Sequence, residues 1–326
     1  MKPILVTGGA GYIGSHVARQ LAERGERVIV LDNLSSGFRE AVLDAELIVG
    51  DVGDRALVDR VLGEHAIDTV MHFAAHTVVP ESVRDPLKYY GNNTCATRSL
   101  LAACSAADVR HFVFSSTAAV YGMPASGIAE EDTPTQPINP YGWSKLMSET
   151  MLRDLSSATA LRHVILRYFN VAGCDPGGRI GQSTPNATLL IKVACEHAVG
   201  KRAQLGIFGT DYATPDGTGI RDYIHVEDLA RAHLGALDHL RNNRDSLTLN
   251  CGYGRGYSVR EVIDSVARVS GAKLDVVEYP RRAGDPPMLI ARSERLQQLL
   301  GWKPQHDDLD FIVRSALAWE RRLAAA

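Results

Sequence analysis

Residues 4–14 read ILVTGGAGYIG, and this stretch decides the fold. Its apolar start predicts a short buried strand, and the glycines that follow predict a tight turn into a helix. Gly9, Gly11 and Gly14 fit the spacing G-x-G-x-x-G, and counting from Gly8 instead gives the related G-x-x-G-x-x-G. Such glycines allow the tight turn, the approach of a pyrophosphate to the backbone, and close packing of helix on strand. The stretch therefore predicts a dinucleotide-binding βα unit with the phosphates at the helix N-terminus.

An acidic residue follows the second apolar run at the spacing that a nucleotide site requires. The run at residues 28–31 ends in Asp32, which is 18 residues after Gly14. A carboxylate there bonds the ribose hydroxyls and repels a 2′-phosphate, so NAD is favoured over NADP. Arg39 lies close enough in the sequence to leave NADP open as the alternative.

Length and composition narrow the class of protein. A chain of 326 residues, 45% hydrophobic and 22% charged, suits a large α/β domain with a smaller second one. The net charge of −3 gives no reason to expect nucleic acid or an anionic membrane as a partner. Five scattered cysteines without C-x-x-C spacing argue against a disulfide framework or a zinc site. Without the pattern of a signal peptide or a long apolar run, we expect a cytoplasmic protein.

Further βα units extend the pattern to a Rossmann-type, doubly wound parallel sheet. Apolar runs at residues 47–49, 69–73, 112–114 and 164–166 predict its other strands. Beyond residue 170 the regular alternation is lost, so we expect a smaller mixed α/β substrate-binding domain. The predicted division is residues 1–170 and 171–326, with some strands or helices of the second part returning to the first.

Residues 141–145, YGWSK, carry the chemistry that this fold suggests. At the start of a helix, Tyr141 and Lys145 share one face, and an ammonium beside a phenol favours the phenolate. A phenolate can accept the proton of an alcohol near neutral pH. Two ordinary surface residues would give the same spacing; the nucleotide motif earlier in the chain favours the catalytic interpretation. The hydroxyls of residues 115–117 end a predicted strand, where ligands bind in open α/β sheets.

Three other polar residues allow a structural and a functional interpretation. His72 and His76 lack acidic or cysteine partners at ligand spacing, so we interpret both as structural and expect no metal site. Arg221 follows a glycine-rich loop, where its planar guanidinium suits a phosphate. Pairing with a surface carboxylate remains the alternative for this arginine.

In this order the motifs resemble those of the extended short-chain dehydrogenase/reductase family, and within it the nucleotide-sugar 4-epimerases. The narrower resemblance rests on stretches spread over nearly the whole chain: HFAA at 72–75, FSSTAAVYG at 114–122, LRYFN at 166–170, DGTGIRDYIHV at 216–226 and RRAGD at 281–285. It implies an NAD-dependent isomerase that interconverts UDP-glucose and UDP-galactose through a transient 4-keto sugar and NADH. Tyr141 would be the base, and Lys145 would hold the nicotinamide ribose and, together with the cationic nicotinamide ring, lower the Tyr141 pKa. Thr117, where many members carry serine, would bridge to the substrate oxygen.

The resemblance also implies the residues that bind each ligand. For NAD these are Gly8, Gly11, Tyr12, Ile13, Gly14, Asp32, Asn33, Asp51, Val52, Phe73, Ala74, Ala75, Asn92, Tyr141, Lys145 and Tyr168. For the UDP-sugar they are Thr117, Asn170, Thr188, Leu189, Ile207, Phe208, Arg221, Arg282 and Asp285, with the two arginines facing the pyrophosphate. A homodimer is expected through helices near residues 92–107 and 143–157.

Several related activities remain as alternatives. A nucleotide-sugar 4,6-dehydratase needs an acidic pair after Thr117, where this chain has Ala118 and Ala119. Asp32 disfavours an NADP-dependent reductase, and the intact Tyr, Lys and hydroxyl set disfavours a non-catalytic nucleotide-binding regulator. In the family, a bulky tyrosine at one position excludes N-acetylated sugars. The matching residue here is Leu289, so UDP-N-acetylglucosamine is a further candidate substrate.

Overall fold

A computed structural model describes residues 2–185, 187–282 and 284–325, so Ala283 of the stretch RRAGD lies outside the described residues. The strands in chain order are β1 (Ile4–Thr7), β2 (Val28–Asp32), β3 (Glu46–Val49), β4 (Thr69–His72), β5 (His111–Thr117), β6 (Ile128–Ala129), β7 (Arg162–Tyr168), β8 (Asn170–Ala172), β9 (Leu205–Phe208), β10 (Ile220–His225), β11 (Leu247–Cys251), β12 (Gly256–Ser258), β13 (Val276–Tyr279) and β14 (Met288–Ala291).

The α-helices are α1 (Tyr12–Glu23), α2 (Arg55–Glu64), α3 (Val79–Arg84), α4 (Pro86–Tyr89), α5 (Ala96–Ala106), α6 (Pro140–Ala158), α7 (Leu190–Ala198), α8 (Val226–Arg241), α9 (Val259–Ser270), α10 (Glu294–Leu300) and α11 (Leu309–Ala325). Short 3-10 helices span Arg39–Val42 and Ala118–Tyr121, and a π-helix spans Tyr90–Cys95. In the described part of the chain, no helix has the length and apolar character needed to cross a membrane.

The main sheet is parallel throughout, in the order β3-β2-β1-β4-β5-β7-β11, which confirms the predicted Rossmann-type sheet. From β1 the chain first moves outwards through β2 and β3, then crosses to β4 on the other side. The carboxyl ends of β1 and β4 therefore flank the point where strand order reverses, the place where open α/β sheets bind ligands.

Both faces of this sheet are covered, which explains why its strands are apolar without alternation. On one face, α1 and α8 pack over the sheet through residues such as Leu21 and Leu237. On the other, α2, α5 and α6 contribute Leu62, Leu100 and Leu152. The packed helices hold the strand ends in a fixed arrangement at the crevice.

The second half of the chain builds a smaller mixed sheet, in which β10 pairs with β12, β14 and β8. Helices α7, α9 and α11 pack together beside it. Elements also cross between the two halves: β11 pairs with β7 in the main sheet, and β6 pairs with β14. The domain division at residue 170 stays a prediction.

Candidate active site

Two glycines of the first turn occupy positions that exclude any side chain. Gly8 has a φ of +70°, and a Cβ atom there would lie 2.5 Å from the Ala74 backbone nitrogen. A Cβ on Gly14 would lie 2.3 Å from the Gly8 carbonyl oxygen. Gly11 precedes α1 without any side-chain cap, so the first amides of the helix are available to an anion. This cradle fits a dinucleotide pyrophosphate.

The acidic residues predicted for the nucleotide lie at the carboxyl ends of two neighbouring strands: Asp32 ends β2, and Asp51 follows β3. Asp32 is buried and accepts hydrogen bonds from the backbone nitrogens of Ala10 (2.9 Å) and Leu34 (2.8 Å). Asn33 donates from Nδ2 to Asp51 Oδ2 at 2.8 Å. The backbone therefore fixes the Asp32 carboxylate beside the glycine turn, where a ribose would bind. Arg39 is exposed.

Strand β5 and helix α6 bring the predicted catalytic residues together. Asn139 caps the helix, accepting a hydrogen bond from the Gly142 nitrogen, and Pro140 occupies its first turn. Tyr141 is 8% exposed and bonds the Thr117 hydroxyl at the end of β5. Lys145 is 3% exposed and donates from Nζ to the Ser115 carbonyl at 2.9 Å.

The pKa values of this pair differ from the sequence-based expectation. Burial raises the pKa of Tyr141 above its ordinary value, while the hydrogen bond with Thr117 lowers it. Burial lowers the pKa of Lys145 to about 7, and the Glu149 carboxylate opposes that change. The prediction of a lowered Tyr141 pKa does not hold for the protein alone, because desolvation outweighs the one hydrogen bond that favours the phenolate.

The segment around Asn92 differs from the simple helix that the sequence suggests. A π-helix precedes α5, and π-helical turns are frequent at functional sites. Asn93 is buried and donates to the Ser144 hydroxyl (3.0 Å) and to the His76 carbonyl (2.9 Å). Asn92 donates to the Asn93 side chain. Asn93 thus fixes this segment against α6, and sequence spacing alone does not distinguish this role from that of Asn92.

The structural interpretation of His72 agrees with its contacts. Its Nδ1 bonds the Thr7 hydroxyl at 2.6 Å and its Nε2 bonds the Thr97 hydroxyl at 2.8 Å. Burial lowers its pKa to about 3, so the ring is neutral. His76 is held through its backbone by Asn93. Among the described residues, no group of three or more His, Cys, Asp or Glu side chains is placed to hold a metal ion.

Strand β7, helix α1 and the segments that follow β3 and β4 supply the remaining predicted cofactor residues. The Tyr168 hydroxyl bonds the Ser115 hydroxyl, and Phe73 packs on the His233 ring at 4.8 Å. Tyr12 donates from its hydroxyl to the Gly173 carbonyl. The Val52 side chain is buried in the core, and its role in cofactor binding stays a prediction. Ile13 is partly buried against core residues, and its role in cofactor binding also stays a prediction.

The predicted substrate residues lie on loops and strand ends of the second half. Arg221 on β10 donates to Asp285 at 3.1 Å, and the Arg282 guanidinium lies 3.7 Å from the centre of the Phe208 ring. Asn170 starts β8, and Thr188 and Leu189 precede α7. Side chains alternate along β9, so Phe208 is accessible while the Ile207 side chain points into the core, and a substrate-binding role for Ile207 stays a prediction.

The fold and site define a class: dinucleotide-binding enzymes with a buried Tyr–Lys pair at the crevice. A family model described as the NAD dependent epimerase/dehydratase family matches residues 4–252, and the chain belongs to this family. A UDP-glucose 4-epimerase of Azospirillum brasilense is 60% identical, over 98% of this chain and 92% of the relative.

Solved structures agree with this similarity. That of UDP-glucose 4-epimerase from Brucella ovis in complex with NAD has a TM-score of 0.95, with 45% identity over 98% of both chains. That of the UDP-Glc/GlcNAc 4-epimerase from Campylobacter jejuni has a TM-score of 0.87, with 48% identity over 99% of this chain and 100% of the other.

Proposed function

We propose that this protein is an NAD-dependent isomerase that interconverts UDP-glucose and UDP-galactose by inverting C4 of the sugar. The observation that carries the proposal is the buried Tyr141 phenol, bonded to Thr117 and one helical turn before Lys145. The named relatives act on UDP-glucose, which gives the substrate class. The site has no acidic pair after Thr117, as expected for epimerisation rather than dehydration.

The chain's own residues explain how NAD would be held. The cradle formed by Gly8, Gly11 and Gly14 would take the pyrophosphate, and Asp32 would bond the adenosine ribose. Lys145 on α6 directs its ammonium to the Ser115 carbonyl of β5, and this ammonium would hold the nicotinamide ribose. When bound, NAD supplies a reversible hydride acceptor and a positive ring that favours the Tyr141 phenolate.

Tyr141 and Thr117 would carry out the proton transfer to and from the sugar. The Tyr141 phenolate would take the proton of the sugar 4-hydroxyl and later return it, with Thr117 bridging the two oxygens. Arg221 and Arg282 would bind the pyrophosphate through paired hydrogen bonds. While the UDP part is held fixed, the 4-keto sugar can rotate. Its opposite face is then presented to the nicotinamide before the reaction reverses.

A panel of UDP-sugars assayed without added reductant tests this proposal. Purified protein is expected to carry tightly bound NAD and to convert UDP-galactose to UDP-glucose with no net change in cofactor. Net consumption of NAD or NADH, or formation of a dehydrated product, would reject epimerisation in favour of a reductase or a dehydratase.

Turnover of N-acetylated UDP-sugars is a second candidate function, supported by the residue at position 289. Leu289 packs with Phe169 and Ala118 close to the end of β5, and a larger side chain there would narrow the site. We expect UDP-N-acetylglucosamine to react, and Leu289→Tyr to lose that activity about 10-fold or more while keeping UDP-galactose turnover. Competition kinetics with both substrates measures the ratio of their kcat/KM values. If the wild-type protein does not convert UDP-N-acetylglucosamine, this second function is excluded.

We also propose a homodimer, supported by an apolar surface along α6. Trp143 and Met147 are exposed on this helix, and α3 and α4 beside it expose Val83 (62%) and Leu87 (78%). Contiguous exposed apolar side chains of this kind mark protein interfaces. We expect sedimentation to show a dimer that Met147→Glu dissociates. Leu299→Glu, on exposed α10, is the matched control and should remain dimeric; a monomeric wild-type protein would contradict the proposal.

A further inference from the structure

A buried carboxylate lies directly behind the catalytic residues. Glu149 follows Lys145 by one turn of α6 and is fully buried. Its Oε1 accepts hydrogen bonds from the Ser116 hydroxyl (2.5 Å) and from Arg167 Nε (2.9 Å). Its Oε2 accepts from Arg167 Nη2 (2.6 Å) and from Arg153 Nη1 (3.1 Å). The carboxylate therefore has four donors from three elements.

These contacts join the elements that carry the chemistry. Ser116 lies on β5 between Ser115 and Thr117, and side chains alternate along a strand. Ser116 can thus face Glu149 while its neighbours face the site. Arg167 pairs in register with Ser116 across β5 and β7, and its Nη1 donates to the Tyr121 hydroxyl at 3.0 Å. One carboxylate consequently ties α6, β5 and β7 together.

The same charge acts on Lys145. Among the described residues, the titratable groups that interact with its ammonium are Glu149 on α6 and His72 on β4, while Arg167 on β7 bonds Glu149. His72 is neutral, and the ammonium's direct bond is to the Ser115 carbonyl. Glu149 is therefore the anion that offsets the desolvation of Lys145.

We propose that Glu149 is a positioning residue for the reaction: its carboxylate fixes α6, which carries Tyr141 and Lys145, against β5 and β7, and its negative charge stabilises the Lys145 ammonium. This inference rests on the proposed function. It also assigns to Glu149 a role that a purely structural ion pair would not have, because a structural pair would leave the protonation of Lys145 unchanged.

Glu149→Gln in the NAD-loaded protein separates the two roles. With the charge removed, Lys145 loses its proton at lower pH, so the alkaline fall in kcat should move down by about 1 to 2 pH units. NMR titration of carbon-13 labelled lysine should show the same displacement for Lys145. Glu149→Asp keeps the negative charge, so the midpoint of the Lys145 titration in this variant should stay close to that of wild type even if kcat falls.

Arg167→Gln provides a second test with the opposite sign. Without the positive charge of Arg167, the Glu149 carboxylate acts more strongly on Lys145. The pH at the midpoint of the Lys145 titration should therefore rise. The matched control is Glu320→Gln, which removes another buried carboxylate, the partner of Lys192 and Lys201, away from the catalytic residues. Its melting temperature should fall and its pH profile should stay unchanged.

The outcomes distinguish this inference from the proposed function. If Glu149→Gln lowers the melting temperature as Glu320→Gln does but leaves the Lys145 midpoint in place, Glu149 serves the fold alone and the inference is overturned. If the wild-type protein epimerises no UDP-sugar yet the NMR midpoint still shifts in both directions as stated, the proposed function fails, while the electrostatic interaction of Glu149 with Lys145 stands.

Discussion

Tyr141→Phe is expected to lower kcat for conversion of UDP-galactose to UDP-glucose by at least ~100-fold, the usual scale for a positioned acid–base group. The phenol is enclosed and bonded to Thr117, so removing its hydroxyl leaves the 4-hydroxyl of the sugar without a proton acceptor. The ring remains, and with it the packing against Tyr89, so UDP binding and bound NAD should be preserved.

Tyr89→Phe is the matched control for that measurement. The Tyr89 ring lies 6.4 Å from the Tyr141 ring, but its hydroxyl is directed to Glu81 and the Val78 carbonyl. We expect lower stability with little change in kcat, because no proton of the reaction passes through that hydroxyl. An unchanged kcat in Tyr141→Phe would show that Tyr141 is not the proton acceptor of the reaction.

Gly14→Ala is expected to weaken NAD binding about 10- to 100-fold, which corresponds to the cost of forcing an extra methyl group into a packed site. Its Cβ would lie 2.3 Å from the Gly8 carbonyl oxygen and 2.9 Å from the Gly9 Cα, both of them backbone atoms. The turn must open to accept it, and the amides that would hold the pyrophosphate then move. Bound NAD after purification, measured by its absorbance on release, reports the loss.

Gly63→Ala provides the control for Gly14→Ala. Gly63 lies in α2, and a Cβ there would meet no atom within 4 Å. Alanine in an open helical position stabilises by about 0.5 to 1 kcal/mol, so the melting temperature should rise while NAD content stays the same. Full NAD retention by Gly14→Ala would show that the turn does not hold the dinucleotide.

The spacing of residues in the sequence was sufficient to predict those parts of the site that lie within one turn or one helix. The glycines of residues 8–14 form a turn that a single strand and helix define. Asp32 sits at the end of the next strand, and Tyr141 and Lys145 share one helical face. These features depend on residues close in the chain, which is why their spacing predicts them.

Features that depend on distant residues were not predictable in the same way. Glu149 meets Arg167 and Ser116 only once α6 packs beside β5 and β7, and no spacing signals that meeting. The pKa of Tyr141 depends on how completely the fold buries the phenol, so the direction predicted from spacing alone was wrong for the protein without its cofactor. Likewise β11 joins the main sheet from far along the chain, after the βα alternation has ended.

The most direct test of the account follows the hydrogen on C4 of the sugar. UDP-galactose deuterated at C4 is incubated with the purified protein in ordinary water, and the UDP-glucose formed is analysed by NMR. Because a closed site would return to C4 the hydrogen that was removed from it, we predict product that retains deuterium at C4. Product carrying solvent hydrogen at C4 would contradict the account, because the carbon would then have exchanged a proton with water instead of transferring a hydride to the nicotinamide and receiving it back.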